Sequence, residues 1–186
     1  MGRVIYPKPV ALIMALMANT LSRLEETKAP LVEEFGSVEL ESETYPFTYS
    51  SHYEKEMGKR LIKQFVSFAE LIEMDSLSRI KTTTNKLEEN IANRQGKELK
   101  RPVNIDPGYL APAQLVLATT KNYSHRIYLG GGIFAEVTLI YRHGGFQPLD
   151  WTYPDYRSEL AGQFFARVRG WLLSKIRSEN SNPSLR

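Results

Sequence analysis

The chain is predicted to fold as one α+β domain: a ferredoxin-like β-α-β-β-α-β core extended by a C-terminal β-hairpin and a long helix. Three observations lead there. An unbroken apolar run, Val10 to Met17, sits between Pro9 and Asn19 and has the character of a strand buried on both faces. Two stretches of helical spacing follow, each succeeded by strand-like segments. Finally, the triplet Gly130-Gly131-Gly132 separates two β-like runs, a strong hairpin signal, ahead of a last amphipathic stretch.

Each element has a local reason. Thr20 is placed to cap a helix whose apolar positions include Leu21, Leu24, Leu31, Val32 and Phe35, with Gly36 as its stop. Pro30 inside that stretch predicts a kink or a break. Val38 and Leu40 alternate with Glu39 and Glu41 as a half-exposed strand. Residues 44–58 show no period and read as a long loop, the kind that often serves function. Leu61 to Ile72 reads as a strand. Asp75 or Ser76 is the expected cap of a second helix with a stripe of Leu77, Ile80, Leu87 and Ile91. Lys97, Lys100 and Arg101 mark a basic turn, and Val103 to Ile105 a strand halted by Pro107-Gly108. Leu115 to Thr119 is a further strand. The last helix is expected from about Tyr156 to Arg177, burying Leu160, Phe164, Val168, Trp171, Leu172 and Ile176. Residues 1–178 form the predicted domain, and 179–186 a frayed tail.

Composition narrows the function classes. Of 186 residues, 42% are apolar and 24% charged, which suits a packed globular domain. The net charge of +3 excludes a polybasic nucleic-acid coat protein. With no cysteine, disulfides, thiol catalysis and thiolate metal sites are all excluded, and a reducing, cytoplasmic setting is expected. Arg3 and Lys8 precede the first apolar run in the manner of a signal peptide, but the run is too short to cross a bilayer and reads better as a first strand.

Candidate chemistry concentrates in residues 104–157. Asp106 ends a strand at a turn, either as a catalytic carboxylate or as an acceptor that builds the turn. Lys121, His125 and Arg126 sit in or beside one loop, where they are suited to bind a phosphate; His125 could serve as a general acid or base near neutral pH. The structural alternative is a solvated polar loop. With a three-glycine hairpin loop, Arg126 falls opposite Glu136, and a two-residue loop puts Ile127 there instead. That pair is either a cross-strand ion pair or a carboxylate held in a cleft. Tyr109 and Trp151 could stack on a base, though such aromatics more often seal a core; Asp155 lies favourably near the start of the last helix. No phosphate-binding glycine loop is present. Metal sites are weakly supported: Asp106 and Glu136 could hold magnesium if the fold joins them, and His52, Glu54 and Glu56 share a face only if extended. Arg167, Arg169, Lys175 and Arg177 read as a solvated helix face rather than a nucleic-acid surface.

The runs NIDPGYL (104–110), LATTKNYSHRIYLGGGIFAEVTL (117–139) and WTYPDYR (151–157) resemble a bacterial family filed as domain of unknown function 4416. EKEMG, FVSF and KTTTN extend the likeness upstream. The resemblance implies a cytoplasmic bacterial protein. Some members bear an automated GTP-binding label, whose nucleotide loop this chain lacks. Asp106, Tyr109, Lys121, His125, Arg126, Glu136 and Asp155 lie within the shared motifs. The leading expectation is a binding module for a nucleotide or RNA, with Lys121, His125 and Arg126 on the phosphate and Tyr109, Trp151 and Asp155 around the ligand. The rival is a phosphate-ester enzyme using Asp106 or Glu136 as base or magnesium ligand and His125 as acid. A third reading is an interaction protein that uses the aromatic loop Tyr45 to Tyr53.

Overall fold

A computed structural model describes residues 2–94 and 99–181. Its elements are β1 (Val10–Ala18), α1 (Leu21–Phe35), β2 (Val38–Glu41), β3 (Tyr45–Pro46), α2 (Glu54–Met57), β4 (Ile62–Ile72), α3 (Leu77–Arg94), β5 (Val103–Ala111), β6 (Gln114–Thr119), β7 (Ile127–Gly130), β8 (Ile133–Arg142), β9 (Gly145–Pro148) and α4 (Glu159–Ser181). Short 3-10 turns, Met74–Ser76 and Pro154–Arg157, lead into α3 and α4. Among the described residues the strands form one nine-stranded antiparallel sheet, ordered β2-β4-β1-β5-β6-β8-β7, with β3 on β4 and β9 on β8.

β1 lies inside the sheet, between β4 and β5, and every residue of it is buried. Its alternation serves two cores. Leu12, Met14 and Leu16 pack with Leu24 and Leu31 of α1 and Ile80 of α3. Ala11, Ile13 and Ala15 pack with Phe164, Phe165, Val168 and Leu172 of α4. Helices on both faces explain why an antiparallel strand carries an unbroken apolar run. Ala161 and Phe165 join the buried face of α4, while Leu160, Trp171 and Ile176 sit at its margin. Arg169 and Lys175 are not merely solvated. Arg169 Nε donates to the Pro112 carbonyl (2.7 Å), and Lys175 Nζ donates to that of Ala69.

Thr20 caps α1 through the Arg23 amide, and Gly36 closes it at φ +86°. The helix runs through Pro30 without a break. Asp75 and Ser76 do not cap α3 as expected: both lie in the 3-10 turn, and the Ser76 hydroxyl donates to the Glu73 carbonyl. The 44–58 stretch includes two-residue β3 and the single turn α2, so His52, Glu54 and Glu56 are not on one extended face. α4 reaches Ser181, into the stretch expected to fray; Lys97 and residues 182–186 lie outside the described residues. The hairpin pairs Ile127 with Ala135 and Tyr128 with Phe134, the register that sets Arg126 across from Glu136. The loop itself is only Gly131-Gly132, since Gly130 pairs with Ile133. A bulge between Tyr128 and Gly130 keeps Arg126 opposite Glu136, where an unbulged two-residue loop would have put Ile127. All three glycines have positive φ.

The main departure concerns Pro107-Gly108. They do not halt a strand; β5 runs through them. It pairs with β1 over Val103–Leu110 but with β6 only over Gly108–Ala111. Before Gly108 the two strands part, and side chains from α3 complete the open edge. Ile105 N–H donates to Glu88 Oε1 (2.7 Å), and its carbonyl accepts from Lys81 Nζ (2.9 Å). Pro107, the next residue whose backbone faces that side, has no N–H to satisfy. Gly108 marks the point of close approach: a Cβ there would lie 2.4 Å from the Val116 carbonyl oxygen. Gly108→Ala should therefore destabilise by about 1–3 kcal/mol in denaturant titration. Gly162→Ala, in helix α4 with open space around it, should stabilise by about 0.5–1 kcal/mol.

Candidate functional site

The parting of β5 from β6 opens a cleft of about 850 Å³. Strand alternation supplies its floor. Lys63 of β4 and Asn104 of β5 flank Met17, and Asp106 flanks Ala15, so all three share the sheet face that α4 covers further along. Glu136 of β8 lies opposite Leu117 of β6 on that face. Lys81 and Glu88 rise from α3 through the gap. Phe47, Tyr49, His52 and Tyr53 form an aromatic wall, Tyr153 and Tyr156 a second, and Lys100 and Lys121 also line the cleft.

Most of its charges are held in pairs. Lys63 Nζ meets Asp155 Oδ2 at 2.5 Å, both side chains almost fully buried. The same ammonium lies over the rings of Phe47, Phe65 and Tyr156, 5.0–5.9 Å from their centroids. Tyr45 OH also donates to Asp155 (3.4 Å). Arg101 pairs with Glu88 (2.8 Å) and donates to Asn104 Oδ1. Asn104 Nδ2 in turn donates to Asp106 Oδ2 (2.7 Å), and Lys81 Nζ lies 3.4 Å from Asp106 Oδ1. Glu136 is 3% exposed and receives Arg126 Nε at 2.7 Å and His125 Nε2 at 2.9 Å on one oxygen. Arg126 extends further, to the Lys121 carbonyl and Tyr153 OH.

Burial and neighbours set the proton affinities. Burial works to raise the Asp106 carboxyl, but Lys81, Lys63, the Asn104 amide and Arg101 outweigh it, so its pKa is lowered and it stays ionised. Burial raises Glu88 despite Arg101, Lys81 and the Ile105 amide. Burial, followed by the nearby carboxylates Asp155 and Asp106, pushes the Tyr156 hydroxyl well above the ordinary range. For Arg126, burial opposes the charge, and the hydrogen bond and charge of Glu136 more than restore it.

The structure brings five of the sequence candidates into this cleft: Asp106, Lys121, Arg126, Glu136 and Asp155. Three stand elsewhere. His125 is on the far side of Glu136, its ring stacked on Trp151 at 4.8 Å and 11°. Trp151 does not seal the core; it is 39% exposed, with Nε1 donating to the Val137 carbonyl. Tyr109 packs on the small cluster of Leu77, Val116, Ala118, Ile133 and Ala135. Among the described residues no trio of His, Asp or Glu is gathered to hold a metal ion. No helix there is long and apolar enough to cross a membrane.

Lys63, Lys81, Glu88 and Asn104 were not singled out by their sequence context, yet a signal existed. Lys81 and Glu88 fall at i+4 and i+11 from Leu77, within the stripe that helix α3 buries. Lys63 alternates with Phe65 and Ser67 on a strand enclosed on both faces. Charges at core-facing positions are rare unless paired.

The model of a family described as Domain of unknown function (DUF4416) matches residues 8–171. No curated protein and no solved structure matches the chain.

Lys63→Met should cost about 3–5 kcal/mol in denaturant unfolding by leaving Asp155 buried without its cation, and adding Asp155→Leu should recover most of it. For Asp106, whose folded pKa is depressed, the stabilisation is complete above the unfolded value and is lost as pH falls through the folded one. Asp106→Asn should therefore show a shallower loss of stability with acid below about pH 4.

Proposed function

Because the chain belongs to the DUF4416 family, whose description assigns no function, we propose from the cleft itself that it binds a small phosphate-bearing ligand of nucleotide size. The observation that carries this reading is one enclosure with two aromatic walls and a lysine, Lys121, that has no ion-pair partner among the described residues. Stacking surface and an available cation are the two things a nucleotide asks of a site. A volume of 850 Å³ falls within the range of small-molecule clefts.

The charge pattern favours a compact ligand over an RNA strand. Carboxylates alternate with cations around the cleft, whereas a strand is tracked by a continuous basic groove. The fold supports the same division. We read β2-β4-β1-β5, with α1 and α3 on one face, as a ferredoxin-like unit. On this reading β6, β7, β8 and β9 are an extension that supplies the second side of the cleft.

A phosphate-ester enzyme using His125 is less well supported. Its Nε2 is engaged by Glu136, and its ring is covered by Trp151. A docking role for the aromatic loop is likewise weakened, since Phe47, Tyr49 and Tyr53 face the cleft. Adenosine 5′-monophosphate at millimolar concentration is expected to raise the melting temperature of the protein. In isothermal titration Lys121→Ala should weaken this binding about tenfold, the value of one charge-assisted hydrogen bond, without changing the melting temperature of the free protein. An unchanged affinity would remove Lys121 as the phosphate group's partner.

A further inference from the structure

Asp106 differs from the two other carboxylates of the cleft that come from the sheet and the turn before α4, Asp155 and Glu136. Asp155 and Glu136 have side chains 3% and 2% exposed, closed off by their partners. Asp106 keeps 35% of its side chain exposed, and it lines the cleft. Each of its oxygens already has one protein partner, Lys81 on one and Asn104 on the other. A carboxylate offers about four acceptor sites, so each oxygen can accept once more.

The surroundings decide which donor fits. Lys81, Lys63 and Arg101 all act on Asp106 and keep it ionised. Lys63 and Arg101 are neutralised by Asp155 and Glu88, but Lys81 already sits 3.4 Å from one Asp106 oxygen and balances its charge, so an ammonium group or a divalent cation gains little there. The carboxylate itself would repel an anion. A neutral O–H or N–H donor remains, and two adjacent donors would match the two oxygens. Tyr156 supplies a second, independent observation. Its side chain forms part of the cleft wall, the residue is 3% exposed, and its buried hydroxyl has no hydrogen-bond partner in the protein. An unpaired buried hydroxyl is costly, and native proteins seldom leave one without purpose.

We propose that Asp106 and Tyr156 form a subsite for adjacent hydroxyl groups on the carbon skeleton of the phosphate-bearing ligand, the ribose diol of a nucleotide being the test case. Asp106 accepts from the two hydroxyls, and Tyr156 OH exchanges a hydrogen bond with one of them. The subsite rests on the cleft assignment above but makes a separate demand, for hydroxyls rather than for phosphate. Its magnitude follows from hydrogen bonding to a charged acceptor, where loss of the donors leaves a desolvated carboxylate behind.

The test is isothermal titration of the intact protein with four probes: adenosine 5′-monophosphate, its 2′,3′-dideoxy analogue, adenosine and 2′,3′-dideoxyadenosine. Wild type should bind each diol probe at least about tenfold tighter than its dideoxy partner. Asp106→Asn should shrink that ratio to near one while affinity for the dideoxy nucleotide stays within about twofold. Tyr156→Phe guards against a folding artefact: it removes a hydroxyl without a protein partner, so the melting temperature should hold while the ratio falls. Equal binding of diol and dideoxy probes by wild type, or an undiminished ratio in Asp106→Asn, would overturn the subsite. So would the failure of all four probes to bind. If adenosine binds as tightly as its monophosphate but the diol preference persists and disappears in Asp106→Asn, the subsite stands and the phosphate reading falls.

Discussion

Ile105 is bonded on its open side by side chains instead of by a neighbouring strand, and most of the architecture around the cleft depends on that substitution. Its amide and carbonyl go to Glu88 and Lys81 of α3, so β5 can part from β6 without leaving buried backbone groups unsatisfied. The parting makes room for the cleft. The same two residues bring charge into it, since Lys81 continues to Asp106 and Glu88 recruits Arg101. Helix α3 is thus an edge for β5 and the source of the electrostatic setting of Asp106. Pro107 and Gly108 fit the two sides of this junction: one needs no partner for a missing N–H, and the other lets β6 approach where pairing resumes.

The paired charges bear on the proposed recognition. Removing an ion from water costs several kcal/mol, which a close partner only roughly offsets. The buried pairs Lys63–Asp155 and Arg126–Glu136 therefore add little net stability. What they provide is geometry. Lys63 anchors the turn before α4 at Asp155 and fills the centre of three aromatic rings. Arg126 joins the start of β7 to β8 and to Tyr153 on the opposite wall. With these groups committed to one another, the proposed recognition rests on groups that retain capacity, Lys121, Asp106 and Tyr156. His125, stacked on Trp151, supports Glu136 from behind and takes no part in the cleft surface.

Much of the fold was legible because local rules governed it. The apolar run of β1, the Thr20 cap, the Gly36 stop and the glycine-triplet hairpin all formed where backbone preference and periodicity placed them. Pro107-Gly108 misled for a definite reason. The pair normally marks a turn, and only an open strand edge on one side and a crowded neighbour on the other make it compatible with a strand. Pro30 misled for a simpler one: a helix held by Leu24 and Leu31 in the core tolerates the lost hydrogen bond.

The sequence by itself determined the α+β class, the buried first strand, the three long helices and the glycine-rich hairpin, while leaving two registers open for Arg126 and Glu136. Those features follow from side-chain period and turn chemistry, which act over a few residues. Tertiary structure alone decided which charges meet. Lys63 and Asp155 are 92 positions apart and Lys81 and Asp106 are 25 apart, and no local pattern encodes a partner at such separations. It also decided that Asp106 faces an open cleft while Glu136 is closed off, because exposure of a strand residue depends on what the neighbouring strand does. The physical reason is the same in both cases: periodicity selects the face a residue occupies, and the packing of distant elements selects what stands opposite it.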